Sequence, residues 1–176
     1  MEAIEQVPKT ALDVFRLLPE GTLCEVIDNT LYMSPAPQIP HQELVTFLVR
    51  RIGNWVENKN LGKTLVSPVD VYFDELLSVV QPDLLFIPQN NMEIIKEDGY
   101  IHGAPDLIIE VLSEDKKRDT VQKKSLYERA GVKEYFTVDP ASKKIQCYSL
   151  NNGNYKLINE NEGIFTSQLL NLTFSF

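Results

Sequence analysis

The sequence predicts a mixed α/β fold with substantial antiparallel pairing, in a single domain spanning residues 1–176, and three features carry that reading. The apolar, β-branched run Leu107-Ile108-Ile109-Glu110-Val111-Leu112 has the composition of a strand covered on both faces. Residues 41–58 place Leu44, Phe47, Leu48, Ile52, Trp55 and Val56 on the helical period, which predicts the longest helix of the chain. Short strand-like runs then crowd the C-terminal part, separated by turn signals at Asp139-Pro140, Asn151-Asn152-Gly153-Asn154 and Asn161-Glu162-Gly163.

Taken in order, residues 10–18 form a short amphipathic helix on Leu12, Phe15 and Leu18, ended by Pro19-Glu20-Gly21. Residues 23–27 and 30–33 read as a hairpin around Asp28-Asn29, a pair that tolerates the left-handed backbone of a tight turn. The long helix follows the break Ser34-Pro35-Ala36-Pro37 and ends at Leu61-Gly62. Strands over 64–66, 69–73 and 79–87 suggest a meander, and 90–104 reads as a long loop that is mobile or covers a site. After the Glu110 strand, residues 115–130 are helical in composition, and Gly131 supplies the left-handed residue beyond their end. Strands over 134–138, 145–150, 155–158 and 169–176 complete the chain.

With 43% hydrophobic residues, the composition is that of a globular domain able to bury a sizeable core. The start of the chain lacks the basic and apolar regions of a secretory signal, and no apolar run approaches membrane-spanning length, so a cytoplasmic protein without a membrane partner is expected. Cys24 and Cys147 have no ligand cluster around them and are read as free, inert thiols. A net charge of −8 argues against nonspecific coating of nucleic acid. A local basic patch is nonetheless available at Lys116, Lys117, Arg118, Lys123, Lys124, Arg129 and Lys133, or these residues form a solvated helix face.

Glu110 is the anomaly of the central run, because burying an unpaired carboxylate costs several kcal/mol, about the size of a large mutational effect. Asp83 repeats it in the run 79–87. In a strand, Glu110 shares a face with Asp106, Ile108 and Leu112. On the following helix, Asp119, Lys123, Leu126 and Ala130 fall in one stripe with Tyr127 at its edge, so Lys123 can reach back toward Glu110. Two acids suffice to hold Mg2+, which prefers oxygen ligands and keeps several waters, and a lysine can stabilise charge developing on a phosphate. The competing account is a buried Glu110–Lys123 ion pair that fastens helix to sheet, with Asp83 satisfied by backbone donors near Pro82.

The stretches Gln81-Pro82-Asp83, Gly103-Ala104-Pro105-Asp106-Leu107-Ile108-Ile109-Glu110-Val111-Leu112-Ser113, Ala130-Gly131-Val132, Glu134-Tyr135 and Val138-Asp139-Pro140, with Asp119, Lys123 and Tyr127, resemble the Uma family of restriction-endonuclease-like proteins. The resemblance extends to Glu25, Met33-Ser34-Pro35-Ala36-Pro37, His41 and Asp70. It implies a PD-(D/E)XK nuclease fold, a mixed central sheet flanked by helices with acids at a cleft. It also implies Asp83 and Glu110 as metal ligands, and a catalytic lysine. The superfamily pattern places that lysine two residues after the second acid, where this chain has Leu112; Lys123 is the matching position on the next helix, with Lys124 as the fallback. Asp119 is placed to orient Lys123, Tyr127 to contact phosphate or to pack, and His41, Glu25 and Asp106 to support the site.

The leading expectation is therefore a Mg2+-dependent endonuclease acting on DNA, with Mn2+ as a possible substitute. Two alternatives are a non-catalytic dimeric binding or regulatory module on the same fold, and a hydrolase of small phosphorylated molecules. The apolar strands and the tail Phe174-Ser175-Phe176 are compatible with a homodimer.

Overall fold

The computed structural model describes residues 7–113 and 116–176. Its first helix, α1 (Ala11–Phe15), is fixed by a capping box in which the Thr10 side chain accepts from the Asp13 amide and Asp13 accepts from the Thr10 amide. The hairpin of β1 (Cys24–Ile27) and β2 (Thr30–Met33) turns through Asp28 and Asn29 at φ 49° and 58°. The long helix α2 (Ile39–Asn58) begins with Pro40 in its first turn and buries Leu48, Ile52 and Val56. β3 (Gly62–Val66), β4 (Val71–Phe73), β5 (Ser78–Val80), β6 (Leu84–Pro88), β7 (Ile101–His102) and β8 (Leu107–Val111) follow. A π-helical turn, Arg118–Lys123, runs into α3 (Lys124–Ala130), and Gly131 closes it at φ 91°. The chain ends with β9 (Glu134–Val138), β10 (Lys144–Asn151), β11 (Asn154–Glu162), β12 (Ile164–Ser167) and β13 (Leu172–Ser175).

The strands form a six-stranded sheet in the order β11-β10-β9-β8-β6-β3, a five-stranded sheet in the order β2-β1-β5-β4-β7, and the hairpin β12-β13. β8 and β9 are parallel and are joined through the π turn and α3, whereas β6 and β3 add antiparallel. One face of the larger sheet packs Phe86, Leu107, Ile109 and Phe136 against α2 and the C-terminal hairpin. The other face packs Leu85, Ile87, Ile108 and Tyr135 against α3 and the smaller sheet. The mixed α/β class is thus as the sequence predicts.

Four expectations change. Residues 79–87 are not one strand: β5 and β6 lie in different sheets, and Gln81-Pro82-Asp83 makes the corner between them. A proline cannot donate to a ladder, and here it marks the crossing. β3 pairs with β6 and not with β4, so there is no meander. The segment 90–104 contains a 3-10 turn (Gln89–Ile94) and β7, and it packs Met92, Ile94 and Ile95 on the core. Of the helix read over 115–130, Asp115 lies outside the described residues, and the part carrying Asp119 and Lys123 is π rather than α. The strand β12 carries no sequence alternation strong enough to announce it; it exists because Phe165 stacks on Phe136, with ring centroids 4.7 Å apart. Cys24 and Cys147 are free and buried.

Candidate functional site

The acids converge where the two sheets meet. β8 presents Glu110 toward α3 because its neighbours Ile109 and Val111 occupy the α2 face. The corner before β6 brings Asp83 alongside, and its Oδ2 accepts from the amide of Val111 at 2.8 Å and from Nε2 of His41 at 3.1 Å. The first acid is therefore held by the residue that follows the second. The backbone donor satisfying Asp83 comes from β8 and not from the neighbourhood of Pro82.

Lys123 reaches in from the π turn. Its Nζ lies 3.0 Å from Glu110 Oε1, 2.8 Å from Glu25 Oε1 and 3.8 Å from Asp119 Oδ1. The hydroxyl of Tyr127 donates to the same Glu110 oxygen at 2.6 Å. Glu25, on β1, also accepts from the Gln81 amide at 2.8 Å. Asp119 is fixed through its backbone carbonyl, which accepts from the Tyr135 hydroxyl at 2.8 Å. Exposure of Glu110, Glu25, Lys123 and Asp119 is 2%, 3%, 5% and 7%, so these charges interact through little water.

Three carboxylates, Glu25, Glu110 and Asp119, lie within 3.8 Å of one ammonium, and Asp83 acts on Glu110 and Asp119 from beside them. Burial pushes the Glu110 carboxyl well above its usual range; Lys123 pulls it down, and Asp83, Asp119 and Glu25 push it up again. Asp119 is pushed up to about 6, by burial first and then by Asp83 and Glu25 against the pull of Lys123. Burial disfavours the Lys123 ammonium, but Glu110, Glu25 and Asp119 together hold it well above an ordinary lysine. For His41, burial lowers the imidazole while the bond to Asp83 raises it, and the net direction is up. Among the described residues, His41 Nδ1 is buried without a hydrogen-bond partner. A further cation beside Glu110 and Asp119 would favour their ionised forms.

The donor set suits a hard divalent ion. Asp83 and Glu110 each commit one oxygen to protein donors, whereas Asp83 Oδ1 and Glu110 Oε2 accept no hydrogen bond among the described residues. No group of three or more His, Cys, Asp or Glu among the described residues is arranged as a metal cage. Two carboxylates with an oxygen each to spare are the kind of hard donor that magnesium takes when water completes its shell.

The structure gathers Asp83, Glu110, Lys123, Asp119, Tyr127, His41 and Glu25 into one connected set. Asp106 is the exception. It lies at the other end of β8, about 13 Å from Glu110 by strand rise, and takes Lys133 on Oδ2 and Asn91 on Oδ1 at 2.8 Å. Lys124 points away, its Nζ 3.9 Å from the Tyr148 ring centre. Much of the basic run is spent on pairs elsewhere: Lys116 with Asp139, Arg129 with Asp28 and Lys133 with Asp106. Arg118 lies over the Tyr32 ring, 5.2 Å from its centre. Sequence reading quoted Gln81 within the family motif but gave it no role in the site, and it missed the backbone amide of Val111, which gives no side-chain signal.

A family model described as "putative restriction endonuclease", the Uma2 family, matches residues 12–174. Among solved structures, this chain is similar to an Anabaena variabilis protein described as a putative nuclease belonging to DUF820. The TM-score is 0.74 at 20% identity, covering 96% of this chain and 95% of that one. The two share a fold. No curated protein matches the chain. No helix among the described residues is long and apolar enough to cross a membrane.

Proposed function

We propose, from the premise that the chain belongs to the Uma2 family, that it is a magnesium-dependent endonuclease hydrolysing phosphodiester bonds of DNA in the cytoplasm. The observation that carries this reading is the Lys123 ammonium 3.0 Å from Glu110 Oε1, supplied by the π turn at a strand end where the superfamily's usual lysine position holds buried Leu112. Asp83 and Glu110 are the residues to hold Mg2+, or Mn2+ in its place. Such an ion polarises phosphate and lowers the pKa of a bound water. Val111 and His41 orient Asp83, and Tyr127 orients Glu110. Lys123 presents its positive charge to the oxygen on which charge develops, an interaction stronger in a buried site than in water. Asp119 steadies the lysine.

The test is cleavage of supercoiled plasmid by purified protein in Mg2+ and Mn2+, beside Asp83→Ala, Glu110→Ala and Lys123→Ala. Cleavage by wild type that all three variants lose supports the nuclease. Equal behaviour of all four sinks it. A second reading, a binding or regulatory module without turnover, draws on the enclosure of the cluster, where Glu110, Glu25 and Lys123 are at most 5% exposed. The tail that suggested self-association is committed within the chain, since Phe174 is buried against Phe165, with centroids 5.0 Å apart.

A further inference from the structure

We propose that Glu25 is a positioning residue that withdraws the Lys123 ammonium from Glu110 when a divalent cation takes that carboxylate, an inference that rests on the two-acid reading above. Its Oε1 alone accepts both the Gln81 amide and the Lys123 ammonium, each at 2.8 Å. Gln81 precedes Asp83 by two residues, so one oxygen from the smaller sheet ties the corner carrying the first acid to the lysine of the π turn. The Gln81 side chain anchors that corner again, its Nε2 donating to Asp70 Oδ1 at 2.8 Å.

The physical need for such a residue is a conflict at Glu110. Its Oε1 already accepts from Lys123 and from Tyr127. An arriving dication and a buried ammonium repel each other, and an ammonium that leaves its partner inside the protein without another is as unfavourable as a broken buried ion pair. Glu25 removes that cost. It stands at 2.8 Å from Nζ against 3.0 Å for Glu110, on a separate sheet, and its position is fixed by a backbone donor. Lys123 can lose Glu110 and keep a full counter-charge, with Asp119 at 3.8 Å as the third member.

The experiment is calorimetric titration of Mn2+ and Mg2+ into the metal-free full chain for wild type, Glu25→Gln, Lys123→Met and the double variant, with circular dichroism confirming the fold of each. Glutamine keeps an acceptor for the Gln81 amide and removes only the charge. Expected are a Kd for Glu25→Gln about 10-fold or more weaker, in the range usual for residues that support metal ligands, a Kd for Lys123→Met no weaker than wild type, and a double variant close to Lys123→Met. Unchanged affinity in Glu25→Gln would overturn the proposal. So would the same weakening in the Lys123→Met background, which would mean a general loss of negative charge. If Glu25→Gln does not fold, Lys123→Met decides alone: weaker binding there means that the ammonium is no competitor and the proposal fails. Wild type that binds neither ion, with Asp83→Ala indistinguishable from it, removes the two-acid reading itself and this inference with it.

Discussion

The two ends of β8 carry the same chemistry and opposite accounts of charge. At its start Asp106 is buried, and it meets one lysine, Lys133, whose side chain is 59% exposed, together with the neutral amide of Asn91. At its end Glu110 is equally buried, but its lysine is buried too and is shared with Glu25 and Asp119. The first acid is balanced and needs nothing more. The second sits among further carboxylates, and both it and Asp119 hold their protons abnormally tightly. A buried acid on a strand is therefore not a site in itself; what distinguishes Glu110 is that its lysine is shared with two further carboxylates and that its own carboxyl is pushed well above the usual range.

Exchanging the two lysines for alanine should separate the ends most sharply. Lys123→Ala is expected to lower plasmid cleavage by about 100- to 1,000-fold, the usual cost of one preorganised electrostatic group. Lys133→Ala should leave the cleavage rate within about 2-fold, since its charge is largely solvated. Equal losses would erase the distinction between the ends.

The next effect is on stability against pH in the metal-free protein. The Asp119 carboxyl rises from an ordinary 3.8 to about 6, so between those values the folded chain binds more protons than the unfolded one. Its contribution is most favourable below about 3.8, is lost as pH rises through about 6, and the penalty is full above that. The shift corresponds to about 3 kcal/mol. Asp119→Asn should flatten this fall in urea unfolding measured at pH 5 and pH 8, and Glu110 acts in the same direction. A wild-type protein no less stable at pH 8 than at pH 5, relative to Asp119→Asn, would contradict the raised Asp119 carboxyl.

Smaller again, Asp106→Asn should cost about 1–2 kcal/mol through its bond to Lys133 while leaving the Mn2+ affinity unchanged. A changed affinity would make Asp106 part of the site after all. Lys124→Ala should cost about 0.5–1 kcal/mol for its contact with Tyr148 and leave cleavage intact. Loss of cleavage there would restore Lys124 as the lysine of the site.

The amino-acid sequence by itself determined the elements with strong local signals: α2 from its apolar period, the β1–β2 hairpin from Asp28-Asn29, β8 from its unbroken apolar run, and the end of α3 from Gly131. It also marked Glu110 and Asp83 as acids out of place, because an ionised group in an apolar run violates a cost that no local structure can remove. Tertiary structure decided the rest. It split residues 79–87 between two sheets at Pro82, turned Asp83 onto the amide of Val111, and sent Asp106 to Lys133 although it alternates in phase with Glu110. It also gave the two neighbouring lysines their partners, since the π turn directs Lys123 into the cluster and leaves Lys124 on Tyr148. Periodicity fixes the face on which a side chain lies, but only the packing of one element on another fixes what that side chain meets.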